Sequence, residues 1–217
     1  MKHLLFVAVA AIAIASPATA ETIAITGGKL VVGDGSAPVE GGTVVVRDGT
    51  VVAAGKNVAV PAGARTIDAT GKWVTPGVFA GFSRLGLSEV DAVDGTNDKG
   101  GGKSGFSAAI DVAPAIDPFR SPIAVNRSAG VTRAVVAPDG GGSIFAGQGA
   151  IADLGADTEP VTKARAFQFA QFGEAGAAAA GGSRSGNYLH FRAMLREAQD
   201  HAAGGDAFDD DLLKKED

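Results

Sequence analysis

The sequence predicts an α/β chain in two parts, a small all-β unit over residues 21–75 and a strand-and-helix unit over 76–205. Three observations carry this. Between residues 22 and 74 apolar side chains recur at every second position and are interrupted by glycines, the spacing of half-buried strands. After Thr75-Pro76-Gly77 short apolar runs alternate with helical patterns, the order expected of a domain with parallel strands. From Asn187 to Ala203 the apolar side chains Tyr188, Phe191, Leu195, Ala198 and Ala202 recur at three- and four-residue steps, which gives a helix one apolar face.

Taken in order, Thr22–Thr26 and Leu30–Val32 read as two short strands separated by Gly27-Gly28-Lys29. Thr43–Val46 and Thr50–Ala54 flank Arg47-Asp48-Gly49, and Asp-Gly favours the positive φ of a tight hairpin. Pro61-Ala62-Gly63 is a turn before a short strand at Arg65–Asp68. Val78–Phe82 is an apolar strand, and the Gly-rich, acidic stretch from Gly86 to Gly105 reads as a long exposed loop. Asp117-Pro118 and Ser121-Pro122 are helix-entry chemistry for a short helix over Ile123–Ala129, stopped by Gly130. Val131–Ala137 and Ala150–Leu154 are buried strands, and the alternation of Phe167 and Phe169 with polar or small residues suggests a half-buried one. Gly204-Gly205 ends the last helix, and residues 206–217 form an acidic tail.

Composition narrows the function. Of 217 residues 46% are hydrophobic and 20% charged, a globular balance, while 32 glycines without a collagen period point to many turns. A net charge of −5 argues against nucleic acid as a partner, because phosphate binding needs a basic face. No cysteine is present, which removes disulfides, thiolate metal sites and a cysteine nucleophile. Three histidines, His3, His190 and His201, leave little material for a polyhistidine metal centre.

The first twenty residues have the form of a secretory leader. Lys2 and His3 precede an apolar run from Leu4 to Ala15, Pro17 breaks it, and Ala18-Thr19-Ala20 fits a small-x-small cleavage site before Glu21. The run is shorter than the about 20 residues that span a bilayer. The expectation is a periplasmic or secreted protein, cleaved between Ala20 and Glu21, with no membrane span.

Other candidate sites favour structural readings. His190 and His201 stand eleven residues apart, about 16 Å along a helix, too far to share a metal, and read as solvent-facing. Ser83, Ser104 and Ser143 lie near glycines without a nucleophile-elbow pattern. Pro138-Asp139-Gly140-Gly141-Gly142-Ser143 lacks the Gly-Lys-Ser/Thr ending of a phosphate loop and reads as a flexible strand-to-helix connection. Asp91, Asp94, Asn97 and Asp98 miss the spacing of a calcium loop and read as a solvated acidic segment. Asn126-Arg127-Ser128 matches a three-residue glycosylation sequon, which is weak and is discounted.

Several stretches resemble the amidohydrolase superfamily, and specifically its imidazolonepropionase-like exported members. Gly41–Gly49 is similar to the opening hairpin of that superfamily, and Ile67-Asp68-Ala69-Thr70-Gly71-Lys72-Trp73-Val74-Thr75-Pro76-Gly77 resembles its signature entry into a barrel. Ala129-Gly130-Val131-Thr132 resembles the start of a later barrel strand, Gly147-Gln148-Gly149 a loop, and Ala193–Ala198 a helix of the same subgroup. The resemblance implies the N-terminal part of a composite β-sandwich followed by an incomplete TIM (β/α)8 barrel, because a full barrel takes about 250 residues. It also implies a hydrolase acting on carbon–nitrogen bonds other than peptide bonds.

The first barrel strand of that superfamily ends in His-x-His, which ligates the catalytic metal. Here Phe82 and Arg84 stand at those positions. Phenylalanine has no lone pair for a metal and arginine stays cationic. The expectation is therefore a chain without catalytic residues or a metal of its own, a fragment with zinc confined to a complete parent protein. The alternative is a catalytically dead, amidohydrolase-fold binding protein. Its partners would be a small-molecule substrate or ligand, with a homo-oligomer or a complementing C-terminal half as a further expectation. Arg84, at the C-terminal end of its strand, is the candidate substrate-binding residue, and an ion pair with Asp or Glu is an equal reading of it.

Overall fold

The computed structural model describes residues 21–101, 106–155 and 157–204. The expected leader, the acidic tail and Ser104 lie outside them. The fold is mixed α/β with strands predominating, and it divides between Pro76 and Gly77 into two compact units. Among the described residues no helix is long and apolar enough to cross a membrane.

The first unit is a five-stranded sheet. Strands β1 (Thr22–Leu30), β2 (Val39–Arg47), β3 (Thr50–Gly55) and β4 (Arg65–Asp68) lie in the order β3-β2-β1-β4, and β5 (Trp73–Val74) pairs with the far end of β1. The β2–β3 hairpin turns at Asp48 (φ 50°) and Gly49 (φ 73°), two successive left-handed residues that match the twist of the flanking strands. The two strands expected over 22–32 are one strand. Gly27 and Gly28 bulge it without breaking it, with register shifts against β2 on both sides of Gly28. Chain packed from the other side requires glycine there. A Cβ on Gly27 would meet the Thr70 hydroxyl at 2.8 Å, and one on Gly28 the Val74 side chain at 2.6 Å.

The Asp68–Trp73 stretch has a local physical job. The Asp68 carboxylate accepts the Thr70 N–H at 2.9 Å and its hydroxyl at 2.6 Å, closing a turn that carries the chain from the β4 register to the β5 register on β1. These bonds hold the Asp68 pKa below its usual value. Lys29 then lies 4.7 Å over the Trp73 ring and pairs with Glu40 at 2.7 Å.

The second unit is built on a four-stranded sheet, β6 (Val78–Ser83), β7 (Val131–Val136), β8 (Phe145–Asp153) and β9 (Val161–Ala170), in chain order. Strands β6 and β7 are parallel, joined through α1 (Ser121–Ser128), but β7–β8 and β8–β9 are antiparallel. The expectation of parallel strands holds for the first pair only. The remaining connections are too short for a crossover, so the chain turns back as a meander. Residues 138–143 therefore join strand to strand instead of strand to helix, and Gly147-Gln148-Gly149 lies inside β8 instead of in a loop.

One face of this sheet is covered by α1 and the segment before it. Ile123 of α1, Val112 and Ile116 pack with Ala134, Val136, Ala150, Ala152 and Leu154. Leu87 joins them, fully buried. The stretch expected as an exposed loop is exposed over residues 90–95 and anchored at its start. Asp98 donates its N–H to the Leu87 carbonyl at 2.7 Å, and Ser88 bridges Asn97. Arg120 clamps the return, donating to the Thr96 carbonyl and to Asp98 at 2.6 Å.

Helices α2 (Glu174–Ala179) and α3 (Arg184–Ala202) close the end of the sheet near β8. The sequence pattern did not predict α2, and the buried face of α3 is rotated from the expected stripe. Asn187 is its fully buried residue, its amide donating to the Gln171 carbonyl at 2.9 Å. Phe191 and Met194 continue that face, while Tyr188 is 59% exposed. The polar anchor sets the rotation, because a buried carbonyl must be paired.

Truncating Leu87 tests the anchored loop. Leu87→Ala should lower stability by about 3 kcal/mol in a denaturant titration, as for a packed core leucine, whereas a solvated loop residue would cost almost nothing.

Candidate functional site

The one parallel pair fixes where side chains can converge. The chain leaves β6 through Arg84-Leu85 and β7 through Ala137-Pro138-Asp139, so both C-terminal ends open on the same side. Ligands of open α/β sheets sit outside such ends. The Ala137 N–H bonds the Ser83 carbonyl at 2.9 Å, and the Ser83 hydroxyl donates to the Val135 carbonyl at 2.8 Å, locking the two ends together.

Across these ends runs a chain of alternating charges. Arg84 Nη2 lies 3.5 Å from the Asp139 carboxylate, the Asp139 N–H bonds the Lys99 carbonyl at 2.6 Å, and Lys99 Nζ pairs with Asp91 at 3.1 Å. The Lys99 bond, reinforced by the charges of Lys99 and Arg84, holds the Asp91 carboxyl below its ordinary pKa. Arg84 also sits 5.7 Å from the Phe82 ring centre. Its Nε is buried without a hydrogen-bond partner. Beside it opens a cleft of about 350 Å³, walled by Phe82, Arg84, Ser88, Glu89 and Asp91 and by the start of α1. A second hollow of about 330 Å³ lies against Asp94, Asn97, Lys99 and Asp139.

The sequence-expected residues take these places. Arg84 lines the cleft, and the expected ion pair is with Asp139. Glu89 accepts the Ser121 N–H at 2.8 Å and the Ser121 hydroxyl, capping α1 from another segment. The acidic residues 91–98 are dispersed: Asp91 serves Lys99, Asp98 serves Arg120, and Asn97 accepts the Lys99 N–H at 3.2 Å. His190 and His201 share α3, and Asn126 of the sequon donates its amide to the Pro122 carbonyl at 2.8 Å within α1. Asp139 was missed as a partner of Arg84. Its signal was a Pro-Asp step directly after a buried strand.

The first-strand positions do not fit a zinc ion. The Phe82 ring packs 5.6 Å from Phe169 and offers no lone pair, and the Arg84 guanidinium is a donor-only cation held by Asp139. Among the described residues no three His, Asp or Glu side chains are placed to hold a metal ion together.

No family model matches the chain, and no curated protein matches it. Among solved structures, an amidohydrolase from Thermotoga maritima MSB8 superposes with a TM-score of 0.67 at 22% identity, over 88% of this chain and 53% of that one. This chain therefore shares the fold of that protein over the matched part, and it spans about half the length of that protein. A molinate hydrolase is 40% identical over 32% of this chain and 15% of its own, with a TM-score of 0.29, too short a match to bear on the site.

The charge chain makes a titration testable. Asp91 has a lowered folded pKa, so its contribution to stability is present above the unfolded carboxylate pKa and is lost as pH falls through the folded value. Lys99→Met should move the Asp91 midpoint, followed by carboxyl NMR, back up toward the ordinary value. An unmoved midpoint would remove Lys99 as the cause.

Proposed function

We propose that this chain is an exported amidohydrolase-fold protein whose cleft beside Arg84 binds a small anionic molecule, without turnover of its own. The observation that carries this is the partly exposed Arg84 guanidinium at the C-terminal end of β6, which lines a cleft of about 350 Å³. A guanidinium has five N–H donors, and Asp139 engages it at 3.5 Å, beyond the distance of a close charge-assisted bond. A ligand carboxylate accepting from the guanidinium on the cleft side would add the close charge-assisted bonds that Asp139 does not make. The Phe82 ring would support its apolar part, and Glu89 and Asp91 would disfavour a second negative charge.

Titration of the purified chain with small monocarboxylates, followed by calorimetry, tests this. Binding should weaken about tenfold or more in Arg84→Met, since a hydrogen bond to a charged group contributes about 1.5–3 kcal/mol. Absence of binding by any monocarboxylate, or equal binding by Arg84→Met, would overturn the proposal.

A second reading is favoured by the superposition with an amidohydrolase about twice as long. In it these residues are the sandwich strands and the opening of an incomplete (β/α)8 barrel, in a hydrolase of non-peptide carbon–nitrogen bonds. Zinc and the reacting groups would come from a complementing C-terminal half. Amide hydrolysis with stoichiometric zinc by the chain alone would refute the non-catalytic reading and also the need for that half. Export follows from the leader, and an N-terminus at Glu21 on protein recovered from the periplasm is the expected outcome.

A further inference from the structure

The charges around the cleft beside Arg84 do not cancel. Arg84, Glu89 and Asp91 line it, and behind them Asp139 pairs with Arg84 and Lys99 with Asp91. Those two pairs balance, and Glu89 is left over. Its oxygens accept from the N–H and the hydroxyl of Ser121, which are uncharged groups, so its hydrogen bonds are met while its charge is not. The partial positive charge at the start of α1 offsets only part of it. The cleft therefore holds one negative charge in excess, on the wall that faces away from the guanidinium's ion pair.

That wall also stays ionised. The Lys99 bond and charge, then the Ser88 hydroxyl and the Arg84 charge, all hold the Asp91 carboxyl below its ordinary pKa. Ser88 lines the same cleft, is only 7% exposed, and makes no other hydrogen bond, so its hydroxyl is free to support Asp91. A simple anion seated on Arg84 would double the negative excess. A molecule that carries an ammonium as well as a carboxylate brings no net charge and sets its cation against the acidic wall. The volume of about 350 Å³ is at the small end of ligand pockets, which run from about 300 to 1,000 Å³, and suits a molecule of amino acid size. The half-exposed Phe82 ring gives such a molecule an apolar surface.

We infer that the cleft takes an amino acid-like zwitterion, its carboxylate on Arg84 and its ammonium on the wall formed by Glu89 and Asp91. This rests on the carboxylate contact at Arg84 proposed above and adds a second point of recognition to it. Glu89 and Asp91 then select for a positive charge and do not merely reject a second negative one.

Calorimetric titration at neutral pH with matched compounds tests this on the unaltered chain. Leucine is compared with isocaproate, and γ-aminobutyrate with butyrate, each pair differing only in the ammonium group. The amino member of at least one pair should bind about fivefold tighter or more, the size of a partly screened ion pair. The preference should shrink in Glu89→Gln, which keeps an acceptor for Ser121, and vanish in Glu89→Gln/Asp91→Asn. Isoamylamine, which lacks the carboxylate, should bind more weakly than leucine. Equal or tighter binding of the desamino member in both pairs would overturn the inference while leaving the Arg84 contact standing. An undiminished preference in the double variant would overturn it as well, as would amine binding as tight as that of leucine. No binding by any of these compounds would overturn both this inference and the anion reading on which it rests.

Discussion

Parallel pairing of β6 with β7 is the constraint from which the second unit follows. Two parallel strands cannot be joined by a tight turn, so everything from Arg84 to Gly130 must travel from one end of the sheet back to the other. That length of chain can be ordered only if it buries apolar surface on the way. Leu87, Val112, Ile116 and Ile123 do so, each placed against the small side chains of β7 and β8. The alanines of those strands are therefore part of the design. Ala134, Ala150 and Ala152 leave the depth that the returning chain fills.

The same constraint creates the charged seam. With both strand ends opening on one side, the residue after β6 and the loop after β7 must meet, and Arg84 and Asp139 neutralise each other there. The pair is partly exposed, so its energetic contribution is modest, and its larger effect is to orient the guanidinium. Lys99 ties the acidic return loop to the same seam through Asp91 and through its own carbonyl. An arginine at this strand end thus sets the chemistry of the site without setting its location, because the location is fixed by topology and the chemistry by the side chain.

How much of this was legible depended on whether the determining contact was local. The Asp48-Gly49 hairpin, the Pro122 entry of α1 and the stop at Gly130 rest on backbone preferences of single residues, and the structure has them where the pattern put them. The reading failed where a distant partner decides. Gly27-Gly28 looks like a break until Thr70 and Val74 are packed against it. Residues 90–95 are exposed as the composition suggests, but the buried Leu87 just before them is hidden among glycine and aspartate. The face of α3 is set by an asparagine, which no apolar periodicity reports. At the candidate site, Arg84 could be named from the family pattern, but Asp139 is 55 positions away in sequence and only the sheet brings it near.

Arg120 joins segments that the sheet alone does not. It sits at the entry of α1 and bonds both Thr96 and Asp98 across the return loop, while Glu89 from the same loop caps the helix it precedes. The loop and the first turn of the helix hold each other by polar contacts at both margins, with Leu87 as the apolar anchor beneath. Such a module opens as one sub-global unit, its amide protons exchanging together while the strands stay closed. Since Glu89 and Asp91 form one wall of the cleft, a loosening of this unit would reshape the cleft together with the loop.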